Sequence, residues 1–278
     1  MLAPSTARAY AADRRMFEAW RKLAGECDPV TLDSLIRWGE HRAEHGAKWA
    51  TIRRGLVSVA AAFGVTGLRA PQVRRIRRSV ASRQKRQARP IRAAELAKLA
   101  RRCPDTFHGA RMRALLLVMW TGALRVSEAA AMRWIDLEWC EQGIALTIPR
   151  SKTDQYGDGA IVAIPAHAVA QLDPVRALQA WRAYCPEEAD QVWVTQQGAP
   201  LRKLQTYVTA YVRERLGAGY SSHSMRAGWI TEAAAAGITE SAMMMQTRHR
   251  SAGVLVGYIR EARLWDDNPA AQVARRLG

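Results

Sequence analysis

No run of apolar residues in this chain is long enough to cross a bilayer; the stretch at residues 114–120 is far too short. The first twelve residues lack the charged segment and apolar core of a secretory leader. Cysteine is scarce. Cys27, Cys103, Cys140 and Cys185 are scattered and share no metal-ligand spacing. They read as reduced thiols of a cytoplasmic protein, which excludes a disulfide scaffold. Acidic residues are also few, 25 against 42 lysines and arginines, for a net charge of +17. A surplus of that size points to a polyanionic partner, and nucleic acid is the usual one. Charge that serves solubility alone is the plainer alternative. With 278 residues, 49% of them hydrophobic, the chain has enough apolar material for a real core and fits one large domain or two modest ones.

The first third reads as helices. Ser5 and Thr6 are placed to cap a helix whose apolar side carries Tyr10, Phe17, Trp20 and Ala24. Pro29 and Thr31 open a second, with Leu32, Leu35 and Ile36 on one side. A third starts near Ala47 and carries Trp49, Ile52, Leu56, Val59 and Phe63 at helical spacing until Gly64 and Gly67 stop it. That spacing makes these aromatics core, not a base-stacking platform.

Residues 69–92 contain no acid at all. They hold Arg74, Arg75, Arg77, Arg78, Arg83, Lys85, Arg86 and Arg89. An unbalanced run of this kind repels itself when packed alone, so it reads as a helix and then a linker, both lying along phosphates. The expected division is a helical domain at 1–82, a basic linker at 83–92 and a second domain at 93–278.

The second domain begins helical. Thr121-Gly122 breaks the pattern and a short helix follows Arg125. The period then changes: residues 144–148 and 161–164 look like strands, joined by a polar loop at 151–159 too long for a tight turn. After Pro165 the chain is again helical. The fold class is therefore mainly α with a small antiparallel β-sheet in the C-terminal domain.

Breaking a DNA phosphodiester without a metal requires fixed cations around the non-bridging oxygens, a nucleophile, and a proton donor for the leaving oxygen. Arginine suits the first task because its planar fork pairs two oxygens. Arg125 follows the Thr-Gly break, and Glu128, one turn later, is placed to orient it. Lys152 lies in the polar loop. His223 and Arg226 stand three residues apart at a helix start, and Tyr258 comes nine residues after His249. Each alone is weak: a surface ion pair, a solvated lysine, one of seven tyrosines. Their order is far more specific than any member.

That order, together with Thr-Gly-Ala-Leu-Arg-Val-Ser-Glu at 121–128, Pro-Arg-Ser-Lys-Thr at 149–153 and His-Ser-Met-Arg at 223–226, resembles the tyrosine recombinase (phage integrase) family. The resemblance covers nearly the whole chain. Two departures stand out: Arg248 precedes His249 where the family commonly has glycine, and Ala227-Gly228-Trp229 follows Arg226 where many members have His-Thr. Neither falls on a catalytic position.

The resemblance implies a two-domain DNA clamp and a metal-free, ATP-independent, cofactor-free reaction. Tyr258 would attack the scissile phosphate and leave a 3′-phosphotyrosine. Arg125 and Arg226 would clamp the non-bridging oxygens, with a hydrogen bond from His249. Lys152 would protonate the leaving 5′-oxygen, and His223 would take the tyrosine proton or hold the phosphate. The implied partners are double-stranded DNA with paired inverted half-sites and three further copies of the chain in a synaptic tetramer, at a cytoplasmic, nucleoid-associated location. The tail beyond Tyr258, with Leu264, Trp265, Val273 and Leu277 as anchors, would pack on a neighbouring subunit or fold back on its own domain. A type IB topoisomerase and a non-catalytic DNA-binding protein on the same fold are the rivals. His41 and His45 have metal-pair spacing but no evident third ligand and read as a solvated helix face, and Met243–Met245 reads as helix core.

Overall fold

The computed structural model describes residues 4–80, 88–149, 159–249, 251–262, 269–274 and 276, and divides the chain into two compact units, Met1–Arg86 and Gln87–Gly278. In the first unit α1 (Pro4–Leu23) packs on α3 (Trp49–Phe63), and α2 (Leu32–Glu44) packs on α3 and α4 (Pro71–Val80). Pro4 is the first residue of α1, where its fixed φ and missing N–H cost nothing. Ser5 and Thr6 therefore lie inside the first turn and are not its cap. Thr31 does cap α2: it accepts from the Ser34 N–H at 3.3 Å, while its own N–H donates to the Ser34 hydroxyl at 3.1 Å. Phe17, Leu35, Trp38, Ile52, Leu56, Val59 and Ile76 form the core, with Phe17 edge-on to Trp38 at 5.3 Å. Asp13 is fully buried and is held by two hydrogen bonds from Arg54, at 2.7 and 2.9 Å.

Helix α4 is sharply two-sided. Val73, Ile76 and Val80 are buried, whereas Arg74, Arg75, Arg77 and Arg78 are exposed. Arg75 reaches Glu40 at 3.0 Å.

The second unit holds α5 (Ala93–Arg101), α6 (Phe107–Thr121), α7 (Val126–Ala131), the strands β1 (Leu137–Cys140), β2 (Gly143–Ile148) and β3 (Ala160–Pro165), then α8 (Pro174–Arg182), α9 (Leu204–Leu216), α10 (His223–Ala235), α11 (Glu240–Thr247), α12 (Val256–Ala262) and α13 (Pro269–Ala274). The sheet is antiparallel in the order β1-β2-β3, with Leu146 opposite Leu137 on one side and Val162 on the other. Strand β1 escapes sequence reading because only Leu137 of its four residues is buried, so it shows no alternation. Helix α6 packs against α5, α8 and α10 and is buried along most of its length, including every residue from Ala114 to Met119.

Residues 88–92, read from the sequence as part of a linker, lie against the second unit. The Ile91 side chain is fully buried, and its N–H donates to the Ser224 carbonyl at 3.0 Å. The Ile91 carbonyl accepts from Trp120 Nε1 at 2.9 Å and sits over Gly228 of α10, where an added Cβ would stand 1.8 Å from it. Only glycine admits so close a backbone approach.

Candidate active site

The site is built on the turn between α6 and α7. Ala123 has φ +45°, and Arg125 follows as the residue that caps α7. Glu128, three residues on, folds back: it accepts the Arg125 N–H at 2.8 Å and the Arg125 Nη1 at 2.6 Å. The Arg-x-x-Glu spacing thus satisfies the helix start and orients a guanidinium at the same time. A second guanidinium, from Arg248, donates to the same carboxylate at 2.7 Å. Burial raises the Glu128 carboxyl, but the Arg248 charge and the hydrogen bonds from both arginines outweigh it, and the group titrates below the usual carboxylate range.

The first turn of α10 supplies His223 and Arg226. Arg226 is 1% exposed. It donates to the Ala123 carbonyl at 2.6 Å, to the Thr247 carbonyl, and to Nε2 of His249 at 3.1 Å. Burial and the nearby Arg125 push it down to about 9, which leaves it cationic at neutral pH.

The chain past α11 supplies the second histidine. The single hydroxyl proton of Thr247 goes to the Met243 carbonyl at 2.6 Å, so its oxygen accepts from Nδ1 of His249 at 2.8 Å. Nε2 of His249 then accepts from Arg226, and the ring is neutral. Burial and the charges of Arg226 and Arg125 agree, lowering it to about 4.

Tyr258 lies on α12, which packs on α10. Its ring is buried among Ala227, Ile230, Met243 and Leu255, and its hydroxyl stands 3.4 Å from Nε2 of His223. A cavity of about 310 Å³ opens beside it, lined by Arg89, Arg92, Glu95 and Tyr220. Three guanidiniums around one carboxylate, beside two histidines lowered below their ordinary pKa, leave a surplus of about two positive charges. Such a site attracts an anion and favours one that gains charge as it reacts.

The structure therefore brings Arg125, Glu128, His223, Arg226, His249 and Tyr258 into one neighbourhood. Lys152 lies outside the described residues, as do Arg83, Lys85 and Arg86. Arg89 is exposed, 5.6 Å from the Tyr220 ring, and Arg74, Arg75, Arg77 and Arg78 belong to the first unit. Sequence reading missed the inward turn of Arg248 and the hydroxyl relay of Thr247; the one signal was a large residue where the family has glycine. Elsewhere, Glu44 supplies the third donor that the pair His41 and His45 lacked in the sequence, all three within 4.8 Å of one another on an exposed helix end. Met243 is buried as expected of helix core, but Met245 is 80% exposed.

Residues 89–263 match the profile of the phage integrase family. The chain belongs to that family. It is a tyrosine site-specific recombinase. An integrase/recombinase described as a xerD homolog, from Selenomonas ruminantium, is 28% identical over an alignment of 293 positions, gaps included, that covers 96% of this chain and 84% of the relative. The fold of this recombinase matches the Tn1549 transposon integrase bound to transposon right-end DNA, with a TM-score of 0.69 and 18% identity over 92% of this chain and 89% of the other. It matches XerH recombinase in a post-cleavage complex with palindromic difH substrate, with a TM-score of 0.67 and 16% identity over 96% and 78% of the two chains. A lambda integrase dimer on a core site aligns at a TM-score of 0.60 and 18% identity, over 93% and 72%.

Proposed function

We propose that this recombinase cleaves double-stranded DNA with Tyr258. The phenolic oxygen attacks phosphorus, the bond to the 5′-oxygen breaks, and that oxygen leaves as a hydroxyl once protonated. The 3′-phosphotyrosine keeps the bond energy, so a 5′-hydroxyl from another duplex reverses the step. Supporting this reading most strongly is the 3.4 Å approach of the Tyr258 hydroxyl to His223, beside an arginine cluster with surplus positive charge. His223 takes the phenolic proton. Arg125 and Arg226 hold the non-bridging oxygens, and Arg125 has more N–H groups uncommitted among the described residues than Arg226 has.

His249 adds a hydrogen bond to phosphate once the bound anion has raised its proton affinity. Lys152 protonates the leaving oxygen. The arginines of α4 lie along phosphates, and exchange runs in a tetramer on paired inverted half-sites. The test is a nicked suicide substrate carrying the half-site defined by footprinting. Wild type should form an adduct that survives denaturant and Tyr258→Phe should not. An adduct that persists in Tyr258→Phe removes Tyr258 from the reaction, and none in either protein favours binding without catalysis.

A further inference from the structure

Arg248 occupies a backbone position that disfavours it. Its φ is +56°, and only Ala123 and Lys203 share a positive φ among the described non-glycine residues. Such a residue persists when its surroundings over-determine it, and strain of this kind gathers at functional sites. Two of these three outliers, Ala123 and Arg248, are joined directly by a hydrogen bond from the Arg248 side chain to the Ala123 carbonyl. Arg248 Nη1 donates to the Gly122 carbonyl at 3.4 Å and the Gln246 carbonyl at 2.5 Å. Nη2 donates to the Ala123 carbonyl at 3.3 Å and to Glu128 at 2.7 Å. The Arg248 carbonyl in turn accepts from Arg125 Nη2 at 3.2 Å.

All four terminal N–H groups are thereby committed, and Nε is buried without a partner among the described residues. The side chain is 8% exposed. Three of these four contacts go to the frame that carries Arg125, and the one donor left over, Nε–H, is buried.

We infer that Arg248 is a positioning residue, tying the end of α11 to the turn at 121–125 and holding Glu128, and through it Arg125, in the orientation that meets the scissile phosphate. The inference rests on the catalytic reading above. A guanidinium misplaced by about 1 Å loses roughly a hundred-fold in rate.

The test uses the full chain as Arg248→Gly, Arg248→Lys, Glu128→Gln and the double variant Arg248→Gly/Glu128→Gln. Three quantities are measured: adduct formation at saturating nicked DNA, the Kd for that DNA, and thermal unfolding. Arg248→Gly relieves the backbone strain, so loss of fold is not built into it. The expected result is a rate about a hundred-fold lower with Kd unchanged, partial rescue by Arg248→Lys, and a double variant no slower than Glu128→Gln alone. A wild-type rate in Arg248→Gly overturns the inference, and so does full additivity in the double variant. Should wild type form no adduct, the catalytic reading fails by itself. The coupling of the two substitutions in unfolding then decides whether Arg248 holds Glu128, and its absence overturns that too.

Discussion

The Tyr258 hydroxyl and Nε2 of His223 stand 3.4 Å apart, across the packing of α12 on α10. Loss of water around His223 and the charges of Arg226 and Arg125 lower its pKa. It is therefore neutral, and able to accept a proton, at pH values where an ordinary histidine is charged. Single-turnover cleavage at subsaturating DNA, which reports the free protein, should hold its plateau below about pH 6.5 before an acid limb sets in. His223→Ala should lower the plateau by roughly a hundred-fold and remove that limb.

His249 makes a second pH prediction, on stability. Its folded pKa, about 4, lies below the unfolded value of about 6.5. Between these values the unfolded chain binds a proton at position 249 that the folded chain refuses, so stability falls as pH is lowered through that window. Unfolding midpoints measured from pH 7 to pH 4 should drop more in wild type than in His249→Asn. Equal slopes would show that the histidine is not held neutral by Arg226 and Thr247.

Gly228 tests the packing of residues 88–92 on α10. A methyl group there meets the Ile91 carbonyl, which is itself tied to Trp120 and cannot yield cheaply. Gly228→Ala should destabilise by about 1–3 kcal/mol, read as a midpoint lower by roughly 2–10 °C in a thermal melt.

The exposed face of α4 makes a prediction about salt. If Arg77 and Arg78 contact phosphates, replacing either with alanine weakens binding to all DNA sequences alike. It also reduces the slope of log K against log salt by about 1. Fluorescence anisotropy over a salt series measures both. An unchanged slope would remove these arginines from the interface.

Much of this architecture was legible in the residue pattern, because each legible feature rests on a local rule. Helical spacing marked α2 and α3, and Thr31 and Gly64 marked their ends. The Arg125–Glu128 pair was legible because three residues make one helical turn. What escaped depends on tertiary context. Ser5 and Thr6 have capping chemistry, but Pro4 already starts the helix. Ile91 belongs to the second unit because of a glycine 137 positions away that lets it in. The turn of Arg248 into the site depends on a positive φ that no arginine advertises, and on carbonyls presented by a distant loop.

The most direct test of the central claim is to digest the covalent protein–DNA adduct and locate the nucleotide-bearing residue by mass spectrometry. The expected result is a 3′-phosphodeoxynucleotide on Tyr258 and on no other tyrosine. The same mass carried by Tyr220, Tyr207 or any other residue would contradict it.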